Sequence, residues 1–213
     1  MFTSVWNFTP TRADNGKTIT CTASRDSWTT SPVGSYGPID VQFCARSVSV
    51  NQCPSAVIAG NTASMTCASE SSNPTTTLTW SKDSDQLTIS TPPSESNGVY
   101  GGKVTTQSYT TDVLTKTNNS DAYICCATYP VLSCASDVCE MCTLNVQYPP
   151  EFTSLTQIPQ TPVTEGSDVI LTCTVDANPL PGDIVWEKQG SSDTLSSSLI
   201  DGNSTLTMSN IRR

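Results

Sequence analysis

Cysteine is the residue type whose number and spacing could carry chemistry in this chain. Ten cysteines stand among 213 residues that contain no histidine. Cys139-Glu140-Met141-Cys142 sets two thiols at a spacing that can share a zinc ion or shuttle a disulfide. Without histidine, and with so many cysteines, an oxidising compartment and structural disulfides are the better reading. Nucleophilic hydrolysis has no imidazole base to draw on. The carboxylates Asp83, Asp85 and Asp183 sit in connecting segments, where they satisfy turns. Gly101-Gly102 follows no strand and opens no helix, so it is a turn and not a phosphate cradle. The chain is therefore expected to hold no catalytic residue, metal or cofactor, and to be no enzyme.

Composition narrows the partners. The formal charge is -9, from 19 acidic and 10 basic residues, and the basic residues form no cluster. Nucleic acid and anionic membrane are poor partners for such a surface. Three sequons, at Asn7, Asn118 and Asn203, are candidate glycosylation sites, whereas Asn73-Pro74-Thr75 is spoiled by its proline. No stretch approaches the roughly 20 apolar residues of a membrane span, and Met1 to Trp6 has neither the basic nor the apolar part of a signal peptide. An exported protein without either is expected to be an internal fragment, with no membrane contact of its own and an anchor downstream.

The elements that position the cysteines follow from a repeat. Asp40-Val41-Gln42-Phe43 is echoed 105 residues later by Asn145-Val146-Gln147-Tyr148, Cys21 by Cys125 after 104, and Cys67 by Cys173 after 106. Trp80 follows Cys67 by 13 residues, and Trp186 follows Cys173 by the same 13. Val169, Leu171 and Cys173 alternate with polar positions, as do Leu206 and Met208, and turn residues such as Asn15-Gly16 punctuate them. No segment keeps a helical period. The pattern predicts an all-β chain.

A unit of about 100 residues with this Cys, Trp and Tyr-x-Cys framework resembles the immunoglobulin superfamily, and the fold expected is a tandem array of immunoglobulin-like Greek-key β-sandwiches. The resemblance implies that Cys67 on strand B bonds across the core to Cys125 on strand F, that Trp80 and Trp186 pack there from strand C, and that Tyr123 takes the tyrosine-corner position. It also sets the domains: 1–43 as strands E to G of a first domain, 44–150 as a complete domain, and 151–213 as strands A to E of a third. Cys21 and Cys173 then have partners outside the chain. Trp6, Phe8, Leu206 and Met208 are expected to be left uncovered.

Thr9-Pro10 with Asp14-Asn15-Gly16-Lys17-Thr18-Ile19-Thr20-Cys21, where Ile19 replaces the corner tyrosine, is similar to C2-type domains of nephrin-like, kirre-like and nectin-like adhesion molecules. Val146-Gln147-Tyr148-Pro149-Pro150 resembles the junctions between their domains, where paired prolines stiffen the link. The resemblance implies cell-cell adhesion or recognition at the extracellular side of a plasma membrane, on a single-pass protein, with other cell-surface immunoglobulin-like proteins as homophilic or heterophilic partners. The alternatives are a secreted or matrix protein of many such domains, and the ectodomain of a receptor whose enzymatic domain lies elsewhere.

Cys44, Cys53, Cys126, Cys134, Cys139 and Cys142 fall outside the family pattern. Strand alternation turns Cys126 outward if Cys125 enters the core. Six cysteines allow 15 pairings, and all stay open at this level. Staples over the F to G hairpin and the domain junction are expected.

Overall fold

The computed structural model describes residues 3–27, 29–129, 134, 137–160, 162–190, 194–209 and 211. Residues 1–2 and 212–213, the outer ends of the first and third segments expected above, lie outside these. Among the described residues the regular structure is β-strand apart from three single-turn 3-10 helices at Arg12–Asp14, Val99–Gly101 and Lys116–Asn118. Its contacts gather into two units. The first comprises Met1–Ser55, Thr62–Asp112 and Ser120–Leu144; the second comprises Ala56–Asn61, Val113–Asn119 and Asn145–Arg213.

In the first unit, β1 (Ile19–Thr22) and β2 (Val33–Tyr36) form an antiparallel pair. Residues 3–10 form no strand where the sequence anticipates strand E, because a strand persists only as part of a ladder and no partner pairs with them among the described residues. Next come β3 (Val48–Val50) and the two-residue β4 (Val57–Ile58), the latter belonging to the second unit. The chain continues through β5 (Ser64–Ser69), β6 (Thr77–Lys82), β7 (Asp85–Gln86), β8 (Ser94–Asn97), β9 (Lys103–Thr110), β10 (Ala122–Thr128) and β11 (Val138–Thr143). These build two four-stranded sheets in the orders β3-β5-β9-β8 and β11-β10-β6-β7. In immunoglobulin letters they are A-B-E-D and G-F-C-C′.

Alternation in β5, β6 and β10 sends Met65, Cys67, Leu78, Trp80, Tyr123 and Cys125 into the sandwich. Met65, Cys67, Trp80 and Cys125 are completely buried. Tyr109 bridges the aromatic core, 6.2 Å from the Trp80 ring and 5.8 Å from that of Tyr123. Lys82 pairs with Asp121 at 2.6 Å and lies 5.9 Å over the Tyr123 ring, and burial pushes the Tyr123 phenol above its ordinary range.

In the second unit, β12 (Val146–Ile158) pairs with β4 in parallel and with β13 (Val169–Asn178) antiparallel. Pro149 and Pro150 lie inside β12, and the register slips between Tyr148 and Glu151. Proline has no N–H to give the ladder, so the slip falls where donors are missing. β14 (Trp186–Glu187), β15 (Thr194–Leu195), β16 (Ser198–Ile200) and β17 (Asn203–Met208) follow, giving a sheet in the order β16-β17-β13-β12-β4 and a separate β14-β15 pair. Both units have the strand pairing of immunoglobulin-like sandwiches.

Trp6 and Phe8 are exposed and stack on one another with centroids 4.7 Å apart. Leu206 corrects the expectation of an uncovered side chain: it is only 3% exposed. β17 is flanked by β13 and β16, and Leu206 sits opposite Leu171.

Candidate functional site

Four disulfides are present among the described residues: Cys67–Cys125, Cys126–Cys139, Cys53–Cys142 and Cys44–Cys134. Cys67–Cys125 joins the two sheets with 6.4 Å between Cα atoms. Cys126 faces away from the core and meets Cys139 directly across the β10–β11 ladder, with Cα atoms 4.1 Å apart. Cys139 and Cys142 lie three residues apart on one strand, so they face opposite ways. Cys142 turns inward, 1% exposed, and reaches Cys53 just after β3. Cys44 ties the first junction to Cys134 in the segment between β10 and β11. The Cys-x-x-Cys pair is thus split between two bridges and is not available as a shared metal or redox site. Cys21 is exposed and unbonded, and Cys173 is unbonded and half-buried.

Cys126–Cys139 closes a loop of about 14 residues, a constraint worth about 3 kcal/mol in the chain-entropy account. A Cys126→Ser/Cys139→Ser double variant is expected to lower the first unit's stability by about that amount, read from the urea midpoint. A midpoint unchanged within error would show that the hairpin holds without its staple.

Two joints built from the same atoms dominate the polar architecture, each wholly within one unit. In the first, the Asn73 amide nitrogen donates to the Val41 carbonyl at 2.9 Å, to Asp40 Oδ1 at 2.8 Å and to Asn15 Oδ1 at 3.4 Å. Asn15 Oδ1 also accepts from the Val41 N–H at 2.9 Å, and Asn15 Nδ2 donates to the Tyr100 carbonyl at 2.8 Å. In the second joint, Asn178 Nδ2 donates to the Val146 carbonyl at 2.7 Å, to Asn145 Oδ1 at 2.7 Å and to Asn119 Oδ1 at 3.3 Å, and Asn119 Oδ1 accepts from the Val146 N–H at 3.0 Å. Asn73 and Asn178, Val41 and Val146, and Asp40 and Asn145 are each 105 apart, and Asn15 and Asn119 are 104 apart. One asparagine at or just beyond the end of strand B thus clasps the incoming linker, and a second beside a 3-10 turn completes the ring.

A cation flanks each clasp at the same offset. Arg12 reaches Glu70 at 3.3 Å and the Cys44 carbonyl at 3.2 Å, with its guanidinium 5.2 Å from the Phe43 ring centroid. Lys116 contacts Glu151 and lies 3.2 Å from Asp176, whose other oxygen accepts from the Tyr148 hydroxyl at 2.8 Å. Gly102 allows the first arrangement: a Cβ there would fall 2.7 Å from the Ser72 carbonyl oxygen, so only glycine brings the Tyr100 turn this close.

The Asp176 carboxyl is held below its usual range by the Tyr148 hydroxyl and then by Lys116. A carboxyl depressed in the folded state contributes stability that is present above its unfolded value, near 3.8, and is lost as pH falls through the folded value. Below pH 4 the second unit should loosen in wild type. A Tyr148→Phe/Lys116→Met variant should show a shallower loss over that interval, measured as thermal midpoint against pH. Parallel curves for the two proteins would remove this triad from the acid response.

The remaining candidate residues are placed as follows. Trp80 is buried, and its Nε1 has no hydrogen-bond partner among the described residues, a cost of about 1–3 kcal/mol. Trp186 is half-buried, and its Nε1 donates to the buried Ser204 hydroxyl at 2.8 Å. Asn7 is exposed. Asn118 Oδ1 accepts from the Thr115 N–H at 2.8 Å, and Asn203 Oδ1 accepts from the Thr174 hydroxyl at 2.8 Å. Among the described residues no cluster could hold a metal ion, and no helix is long and apolar enough to cross a membrane.

The immunoglobulin-domain family matches residues 149–213. Nephrin of Homo sapiens is 29% identical over 191 residues, covering 86% of this chain and 15% of the relative. Nephrin of Rattus norvegicus is 29% identical over 178 residues, covering 83% and 13%. The chain therefore spans only about a seventh of the length of these relatives. Among solved structures, the full ectodomain (Ig1–Ig3) of mouse nectin-like molecule 4 aligns with a TM-score of 0.60 at 22% identity, over 78% of this chain and 54% of that one. This last likeness concerns the fold alone. Together with the fold, the matches support a chain built of immunoglobulin-like domains.

Proposed function

We propose that this chain is part of a cell-surface immunoglobulin-superfamily ectodomain that mediates cell-cell adhesion or recognition by binding other immunoglobulin-like proteins. The observation that carries the proposal is the clasp: the same hydrogen bonds recur at a fixed 105-residue interval. A chain that rebuilds its joint each time is made for serial display of domains. Likeness to nephrin over most of this chain, though over only 15% of nephrin, supports an adhesive role for the array. Disulfides inside the first unit suit the oxidising side of a plasma membrane.

The work assigned to the chain is binding, with domain number and glycans setting reach and solubility. Placing the full-length protein on the surface of non-adherent cells tests this. Aggregation with one another, or with cells carrying a second immunoglobulin-like protein, is expected. Full surface expression with no aggregation in either mixture, and secretion of the untagged protein into the medium, would instead favour the matrix alternative.

A further inference from the structure

The open side of the first unit's sandwich leaves a sheet edge unfilled. Cys126 and Cys139 face each other at only 4.1 Å between Cα atoms, the narrow kind of antiparallel pair, so the peptide groups of Cys126 point away from β11 toward Thr79 of β6. By alternation Thr77, Thr79 and Ser81 bond to β10, while Leu78 and Trp80 direct their peptide groups to the opposite edge. Leu87 N–H donates to the Trp80 carbonyl at 2.8 Å on that edge, continuing the β6–β7 ladder by one step. The next pair would be Leu78 with Ile89, and the ladder does not reach it.

The chain swings away there through residues 87–93. Pro92 and Pro93 have no N–H with which to rejoin a ladder. The far wall is fixed, because the buried Gln107 side chain donates to the Thr91 carbonyl at 2.7 Å. Between wall and edge lies an open groove of 830 Å³ that includes Thr77, Leu78, Thr79, Ile89 and Thr91 in its lining. Glu95 is its only charged lining residue.

We propose that this groove binds an extended, neutral to basic segment of a partner protein, added as a strand along β6 at Leu78. The N–H and C=O of Leu78, which have no ladder partner on this edge among the described residues, recognise backbone, which is the chemistry of strand addition. Threonine hydroxyls on the walls accommodate small polar side chains, and Glu95 in a chain of charge -9 disfavours an acidic segment. The proposal rests on the reading of the chain as a protein-binding ectodomain. It adds a site on the complete domain.

The test uses the purified chain and acetylated, amidated octapeptides of alternating Thr and Val whose central residue is Ser, Lys or Glu. The Ser and Lys peptides are expected to bind saturably and to slow hydrogen exchange at the Leu78 amide at least about tenfold, and the Glu peptide to bind at least about fivefold more weakly. Ser90→Trp, at an exposed loop position, should fill the groove and abolish binding with the thermal midpoint unchanged. No saturable binding by any peptide, or binding indifferent to Ser90→Trp, overturns the proposal. So does a neutral oligosaccharide panel that binds where the peptides do not and is displaced by Ser90→Trp. Any of these results leaves the cell-aggregation test of adhesion untouched, since that test does not depend on this groove.

Discussion

Replacing Cys67 and Cys125 together by alanine is expected to lower the stability of the first unit by about 4 kcal/mol, more than the loss of any other single bridge described. Taken alone, a sequence separation of 58 would be worth about 4 kcal/mol in chain entropy. The bridge does not act alone. With the other disulfides intact, Cys67 and Cys125 remain connected by a shorter route, back to Cys53, across to Cys142, on to Cys139 and across to Cys126. That path is about 18 residues long, which reduces the entropic share to about 3 kcal/mol. The two sulfurs are also completely buried against Trp80, and the space left by removing them adds about 1 kcal/mol.

The same reasoning predicts coupling between bridges. Once Cys126–Cys139 is removed, the shortest remaining route between Cys67 and Cys125 lengthens to about 31 residues, so the core bridge should become worth about 0.5 kcal/mol more. Urea midpoints for the two double variants and the quadruple variant measure this cycle. A core-bridge cost below about 2 kcal/mol would mean that packing around Trp80 holds the sheets together without help from the disulfide.

Cys67, Trp80, Tyr123 and Cys125 can be singled out in sequence because their Cys, Trp and Tyr-x-Cys framework resembles that of immunoglobulin domains, and the resemblance is what implies their roles. The partners of the extra cysteines cannot. Cys53 and Cys142 are 89 residues apart, and only the return of β11 beside β3 brings them together. One part of that pairing could still have been read: Cys139 and Cys142, three apart on a strand, face opposite ways and so belong to different bridges. Trp186 shows the limit of spacing. It stands at the same distance from its cysteine as Trp80, yet it is half-buried and bonded to Ser204, because identical spacing does not supply the same neighbours.

The clasp is hidden from local sequence for a different reason. Within its own few residues Asn73 is a spoiled sequon and Asn118 heads a candidate glycan site, and neither local pattern points to a joint. Aligning Thr11 to Gly16 with Thr115 to Ser120 at the repeat offset would have exposed Arg12 with Lys116 and Asn15 with Asn119. Two Asn-Pro pairs at the same offset carry the rest of the signal.

Asn73→Asp should be more damaging to the first joint than Asn73→Ala, although aspartate is nearly the same size as asparagine. Alanine removes a donor and leaves the Val41 carbonyl and the Asn15 and Asp40 side-chain oxygens to water or to weaker partners, a loss of about 2 kcal/mol at this partly buried position. Aspartate places a carboxylate where all three neighbours are acceptors, one of them the Asp40 carboxylate at the position now 2.8 Å from the amide nitrogen. Repulsion then adds to the lost bonds, and the cost should rise to about 3 kcal/mol. Asp40→Asn removes the like charge, so the Asn73→Asp/Asp40→Asn pair should recover part of the loss. That recovery separates electrostatics from a general disturbance of the turn. The Val41 amide, held by Asn15 at 2.9 Å, gives a local readout: its hydrogen exchange should accelerate in Asn73→Asp and slow again in the pair. Equal losses for alanine and aspartate, with no recovery in the pair, would remove repulsion from the account, and no loss in either variant would show that Asn73 acts only through its backbone bonds to Phe43, the clasp then being a consequence of the joint and not its cause.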